Sequence, residues 1–140
     1  MLIVDTDHLV EYQKGTSAES QRLKERLVRQ SQPFGTTVIT AEEIMRGWMA
    51  AIRRVREPRD QVSAYVKFRR LFEFFAVWQV FDFDASAAEQ FDRLRLARIR
   101  VGTMDMKIAS IVLAANATLL SRNRGDFEKI PGLVVEDWLA

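Results

Sequence analysis

Short apolar, β-branched runs alternate along this chain with longer stretches of helical spacing, and no other feature constrains its fold so tightly. The opening run, "LIV" followed by Asp5, is too short for a helix and reads as a buried strand over residues 2–5. The stretches "TTVIT" (36–40), "VWQVFDF" (77–83), "TLLS" (118–121) and "LVVED" (133–137) each read as, or contain, a further strand. Helical patterns fill the gaps. After Gly15 one opens at Thr16 with Glu19 three residues on, a capping-box spacing, and "QPFG" breaks it. A second starts at Thr40, carries Ile44, Trp48, Ala51 and Val55 on one face, and ends at Pro58. A third, from 59 to about 77, is rich in aromatics and arginine. Asp84 reads as the cap of a fourth, Thr103 opens a mostly apolar fifth, and residues 122–132 read as a loop. Strands that alternate with helices pair in parallel. The prediction is an α/β fold: an α/β/α sandwich on a mostly parallel sheet of four to five short strands, in one domain over residues 1–140.

Composition narrows the chemistry. The chain is 48% apolar and 29% charged, as a folded globular domain requires. It has no cysteine, so disulfides, thiolate metal sites and cysteine nucleophiles are excluded. His8 is the sole histidine, which excludes a site with two histidine ligands. No basic segment, apolar core and cleavage site open the chain, so no signal peptide is expected. No apolar run approaches the roughly 20 residues that span a bilayer, and the expected location is the cytoplasm, away from membrane. The net charge of +2 is compatible with a nucleic-acid partner without requiring one.

In an open parallel sheet, ligands bind beyond the carboxyl ends of the strands. Several acids fall there. Asp5 ends the first strand. Glu43 lies in the first turn of the helix after the second, and Asp105 in the first turn of the helix that feeds the strand at 118–121. Asp126 follows that strand. Each also has an ordinary structural explanation. Asp5 or Asp7 could cap a following helix, Glu43 closes the box begun by Thr40, Asp105 suits a helix N-terminus, and Asp126 could be a plain loop residue. Their convergence is harder to dismiss. Two carboxylates about 5 Å apart repel by roughly 3 kcal/mol at an effective dielectric near 20, so a cluster calls for a cation. Oxygen-only ligands suit Mg²⁺ or Mn²⁺, and helix N-termini beside them offer N–H groups to a phosphate.

These stretches resemble the PIN-domain ribonucleases, and within them the VapC-type toxins of bacterial and archaeal toxin–antitoxin pairs, over nearly the whole length. "LIVDTDHLV" is similar to the family's opening motif, with Asp5 as first ligand and Thr6 as its hydroxyl neighbour. "TAEEIMRG" is similar to the second, where the glutamate four residues before glycine selects Glu43 over Glu42. "VGTMDMKIASIVLAANATLLSRNRGDFEKIPGLVVEDW" is similar to the C-terminal signature, with Asp105 as third acid, Asn123 and Asp126 in the loop, and Pro131-Gly132-Leu133 as closing turn. Ser121 stands where threonine is more usual, which keeps the hydroxyl, and Asp7 adds a carboxylate beside Asp5. The resemblance implies a Mg²⁺- or Mn²⁺-dependent endoribonuclease. Asp5, Glu43, Asp105 and Asp126 would be both metal ligands and catalytic residues, with Thr6, Asp7, Ser121 and Asn123 in support or on the substrate side. Water would cleave the phosphodiester without a covalent enzyme intermediate. It also implies a cognate antitoxin whose C-terminal segment lies across the acidic site, and a homodimer.

Other residues invite roles. His8 could act as a general base, though a packed or capping histidine is the ordinary reading. Arg53, Arg54, Arg56, Arg59, Lys67, Arg69 and Arg70, and again Arg93, Arg95, Arg98 and Arg100, could contact RNA phosphates or form solvated helical faces; Arg98 and Arg100 are the better substrate-side candidates. In "KFRRLFEFFAVW", Phe68, Leu71, Phe72 and Phe75 fit one buried face and leave Phe74 or Trp78 for a partner. Two rival functions stand against the nuclease: a non-catalytic partner-binding module of the same fold, and a haloacid-dehalogenase-like phosphatase using "DTD" with Lys107 and Ser121.

Overall fold

The structure is a computed structural model that describes residues 1–140. The first strand β1 (Leu2–Val4) runs directly into helix α1 (Thr6–Lys14), and Gly15 closes that helix in the left-handed region, φ 74°. Helix α2 (Ala18–Arg29) is capped by Ser17, whose side chain accepts the Ser20 N–H, so the cap falls one residue beyond Thr16. Glu19 takes no part in a box and pairs instead with Arg122.

Strand β2 (Phe34–Thr37) lies two residues earlier than its β-branched composition predicts, and helix α3 (Val38–Arg53) starts inside the expected strand. Thr37 accounts for the difference. Its hydroxyl accepts the Thr40 N–H at 3.0 Å and so caps the helix that Thr40 was expected to start. Glu43 therefore sits in the second turn, where it closes no capping box. A 3₁₀ turn (Pro58–Gln61) leads into α4 (Val62–Val77), then β3 (Val80–Phe81), α5 (Ala85–Leu96) and α6 (Thr103–Ala114). Asp84 caps α5 through the Ala87 N–H, as expected. Gly102, without a side chain, occupies the cap of α6, and Thr103 is its first residue. Strand β4 (Thr118–Leu120) is followed by the short helix α7 (Arg124–Phe127), within the expected loop, and by β5 (Val134–Glu136).

The five strands lie in the order β3-β2-β1-β4-β5, and every pairing is parallel. Neighbouring side chains on a strand point to opposite faces. Ile3 and Leu119 accordingly enter one core, with Met106, Ile108 and Phe127, while Leu2, Val4 and Leu120 enter another, with Leu9, Leu23, Ile44 and Leu71. Two apolar cores on the two faces of one sheet make the α/β/α sandwich. On α4, Phe74 and Trp78 pack into the second core beside Phe68 and Phe75, with the Phe74 and Trp78 rings stacked at 5.1 Å. Phe72 faces outward at 53% exposure, like Tyr65, and so trades places with Phe74 and Trp78, while Phe68, Leu71 and Phe75 pack inward as expected. No helix is long and apolar enough to cross a membrane.

Candidate active site

The chain leaves β1 toward β2 on one side and reaches β4 on the other, so the carboxyl ends of β1 and β4 flank the point where the strand order reverses. A crevice opens at such a point in parallel sheets. Asp5 follows β1 there, 5% exposed. It occupies the N-cap position of α1, yet its side chain makes no capping bond. Its Oδ2 instead accepts the hydroxyl of Ser121, the residue after β4, at 2.6 Å. The simplest structural explanation of Asp5 therefore fails.

The other candidate residues gather around this pair. Asp7 Oδ2 accepts the Arg122 backbone N–H at 3.0 Å and lies 3.3 Å from the Ser121 hydroxyl. Thr6 donates its hydroxyl to Glu43 Oε1 at 3.3 Å. Asn123 Nδ2 bridges Asp105 Oδ2 at 3.0 Å and Asp126 Oδ2 at 3.3 Å, while its backbone N–H donates to Ser121 Oγ at 3.0 Å. All eight residues named from the sequence thus fall into three linked groups: Asp5, Asp7 and Ser121; Thr6 and Glu43; Asp105, Asn123 and Asp126. The turn 121–123 joins the first and third. Lys129 also pairs with Asp126, the most solvent-reached of the four ligand candidates.

Three of the acids bear a cost. Burial pushes Asp5 from 3.8 up to about 6, with Asp7 and Asp105 adding repulsion against the relief given by Ser121 and the Thr6 N–H. Glu43 is raised by burial and then by Asp105. Asp105 is raised by burial and then by Asp126 and Asp7, with Asn123 opposing. Asp105 acts on both Asp5 and Glu43. Asp7 runs the other way. Burial would raise it, but His8 and the backbone N–H groups of Arg122 and His8 outweigh that and hold it below the ordinary range. Asp126 is also lowered, chiefly by Lys129 and Asn123.

A family model described as the PIN domain matches residues 2–133. The chain belongs to the PIN-domain family. A 64-residue stretch is 34% identical to Ribonuclease VapC2 of Rickettsia felis (strain ATCC VR-1525 / URRWXCal2), and the match covers 43% of this chain and 48% of that protein, about half of its length. Among solved structures, VapBC2 from Rickettsia felis bound to a DNA fragment from their promoter aligns with a TM-score of 0.70 at 22% identity, over 98% of each chain. A toxin-antitoxin complex from Klebsiella pneumoniae aligns with a TM-score of 0.67 at 21% identity, over 96% of each chain. These two likenesses show that the PIN fold extends over essentially the whole chain.

The donor set of this PIN domain is carboxylate, hydroxyl and amide oxygen, which suits a hard divalent cation. The raised acids supply the complementary reason, since clustered negative charge is relieved by an ion. As the side chains stand, no three His, Asp or Glu groups draw close enough to hold a metal between them. That spacing is compatible with Mg²⁺, which keeps several waters and needs only one or two direct carboxylates. His8 is fully buried and faces away from solvent, so it is no general base for a substrate. Lys107 Nζ lies 6.0 Å from the centroid of the Phe83 ring and forms no ion pair with any carboxylate. Of the basic residues named from the sequence, Arg69 pairs with Glu73 and Arg95 with Asp92, whereas Arg53, Arg54, Arg56, Arg59, Lys67, Arg70, Arg93, Arg98 and Arg100 form no ion pair. Beside Glu43, a pocket of about 370 Å³ is lined by Thr6, Val10, Ile44, Gly47, Trp48 and Ala51. The link from His8 to Trp138, at 3.0 Å, had no signal in the sequence because it joins a side chain to a backbone N–H 130 residues away.

Proposed function

We propose that residues 1–140 act as one PIN domain whose activity is that of a divalent-metal-dependent endoribonuclease, the toxin of a type II toxin–antitoxin pair in the cytoplasm. The observation that carries this reading is the placement of four acids about the β1–β4 crevice, Asp5 tied to Ser121, Glu43 to Thr6, and Asp105 and Asp126 to Asn123, with three of the four raised by burial and mutual repulsion. The similarity to Ribonuclease VapC2 supports the ribonuclease assignment, and the likeness to a toxin-antitoxin complex supports the toxin role.

Asp5, Glu43 and Asp105 would hold Mg²⁺ or Mn²⁺, directly or through water, with Asp126 completing the donor set. A bound divalent ion supplies a hydrolytic water of lowered pKa and neutralises charge on the phosphodiester. The protein's part is orientation. Ser121 fixes Asp5, Thr6 fixes Glu43, and Asn123 holds Asp105 and Asp126 at a set separation. The unpaired guanidinium groups of Arg98 and Arg100, which lead into the helix that carries Asp105, suit RNA phosphates, as do those of Arg53, Arg54, Arg56 and Arg59, each contact adding salt dependence. The apolar pocket beside Glu43 suits a segment of a cognate antitoxin, which from there would cover the acids. Exposed Val62, Tyr65, Val66 and Phe72 on α4 suit contact with a second copy in a homodimer.

Calorimetric titration with Mn²⁺ separates the enzyme from a partner-binding module of the same fold. The nuclease reading expects saturable binding that is lost in Asp105→Asn. A folded protein that binds no divalent ion would favour the binding module.

A further inference from the structure

His8 reaches no solvent, yet both of its ring nitrogens are engaged. The Trp138 backbone N–H donates to Nε2 at 3.0 Å, so Nε2 presents a lone pair and the ring proton belongs on Nδ1. Nδ1 lies 2.6 Å from Asp7 Oδ1. The other Asp7 oxygen accepts the Arg122 N–H at 3.0 Å, at the turn whose Ser121 holds Asp5 and whose Asn123 spans Asp105 and Asp126. A continuous path of hydrogen bonds therefore runs from the segment after β5, through one imidazole and one carboxylate, to the acids.

We propose that His8 is a positioning residue for the acid cluster: its Nδ1–H, fixed as the proton-bearing nitrogen by the Trp138 N–H, holds Asp7 in the orientation that ties the 121–123 turn to Asp5 and Asp105. Its consequence for metal binding rests on the nuclease reading above. The Trp138 end is itself well anchored. The Arg26 guanidinium lies 3.9 Å from the Trp138 ring centroid, the indole N–H donates to Glu136 at 2.9 Å, and the next residue, Leu139, is buried in the second core. A proton on Nε2 would have only Asp137 Oδ1 to turn to, 3.6 Å away and already accepting the Leu139 N–H. His8 touches none of the four acids that would hold a metal and acts on them only through Asp7 and the turn to which Asp7 is bonded.

Because the chain has a single histidine, its imidazole nitrogens can be read in one ¹⁵N NMR spectrum of the full chain at pH 7. The proposal expects a protonated Nδ1 and a bare Nε2; a proton on Nε2, alone or with one on Nδ1, overturns it. Two variants test the consequence. His8→Asn places an N–H near the position of Nδ1 and keeps the donor to Asp7, whereas His8→Gln reaches toward the position of Nε2 and loses it. The Arg122 amide resonance should stay in place in His8→Asn and move in His8→Gln. Mn²⁺ affinity should fall in His8→Gln by up to about 10-fold, the low end of what loss of a ligand's own partner produces, and largely recover in His8→Asn. Equal loss in both variants would make His8 a core filler and overturn the proposal. If the unmodified chain binds no Mn²⁺, the metal reading fails, while the ring protonation and the Arg122 resonance still decide the role of His8.

Discussion

Ser121 Oγ stands 2.6 Å from Asp5 Oδ2, although 116 residues separate the two in sequence. The sheet brings them together. The Asp5 N–H donates to the Leu120 carbonyl and the Ser121 N–H to the Glu136 carbonyl, both at 2.9 Å, so the parallel ladder fixes both backbones before the side chains meet. Ser121 is fully buried and Asp5 almost so, which leaves a carboxylate dependent on that hydroxyl.

Ser121→Ala leaves Asp5 without its side-chain donor. A buried acceptor stripped of a partner costs about 1–3 kcal/mol. The expected result is a lower denaturation midpoint with an unchanged slope, measured in urea. The carboxyl of Asp5 should also move above its value of about 6, since the hydroxyl is the largest influence lowering it.

Asp5→Asn should stabilise the metal-free protein. The folded chain raises this carboxyl from 3.8 to about 6, so folding takes up a proton between those values. Stability contributed here is therefore complete below the lower value, falls as pH rises toward the upper one, and stays level above it. Removing the charge should return on the order of 2–3 kcal/mol at pH 7 and almost nothing below pH about 4, by thermal or denaturant unfolding across pH. Mg²⁺ should stabilise the unmodified protein more at pH 7 than at pH 5, and the variant little at either.

Asn123→Ala releases both Asp105 and Asp126 from the amide that spans them. With the positions of two acids loosened, RNA cleavage should fall about 10–100-fold while the circular dichroism spectrum stays unchanged. Losing the Asn123 donor should also raise Asp105 further and bring Asp126 back toward its ordinary range.

Gly35→Ala tests the sheet independently of the site. A Cβ built at Gly35 would lie 2.5 Å from the Gln79 carbonyl oxygen, the same oxygen that accepts the Thr36 N–H at 2.9 Å. A backbone atom cannot swing aside, so β2 and β3 must separate. Overpacking of this kind costs about 1–3 kcal/mol, to be read as a lowered midpoint of unfolding.

Gly35 also shows where the sequence stops being legible. Glycine is depleted in strands, so β2 was expected at 36–40, where Val38 and Ile39 carry the β-branched signal. Those two residues form the first turn of α3 because Thr37, three residues before Thr40, supplies the capping oxygen. The shift matters for the site. Glu43 was found in the sequence as an acid after a strand, but the capping box that competed to explain it does not form. Asp5 was legible because an apolar run ending in a carboxylate is a local pattern. The bridge from Asn123 to Asp105 and Asp126 was only half legible, since the residues could be named but their contacts depend on α7 forming where a loop was expected. The path from Trp138 through His8 to Asp7 could not be read at all, because one of its bonds comes from a backbone N–H.

The central claim is that these acids cleave RNA with a divalent ion, and it is tested most directly by one assay. Purified protein, freed of any co-purifying partner, is incubated with a mixed RNA pool in Mg²⁺ or Mn²⁺ and in chelator, beside Asp5→Asn. Cleavage is expected only from the unmodified protein and only with metal. Equal cleavage by both proteins, or none by a folded, metal-loaded chain, would contradict the claim.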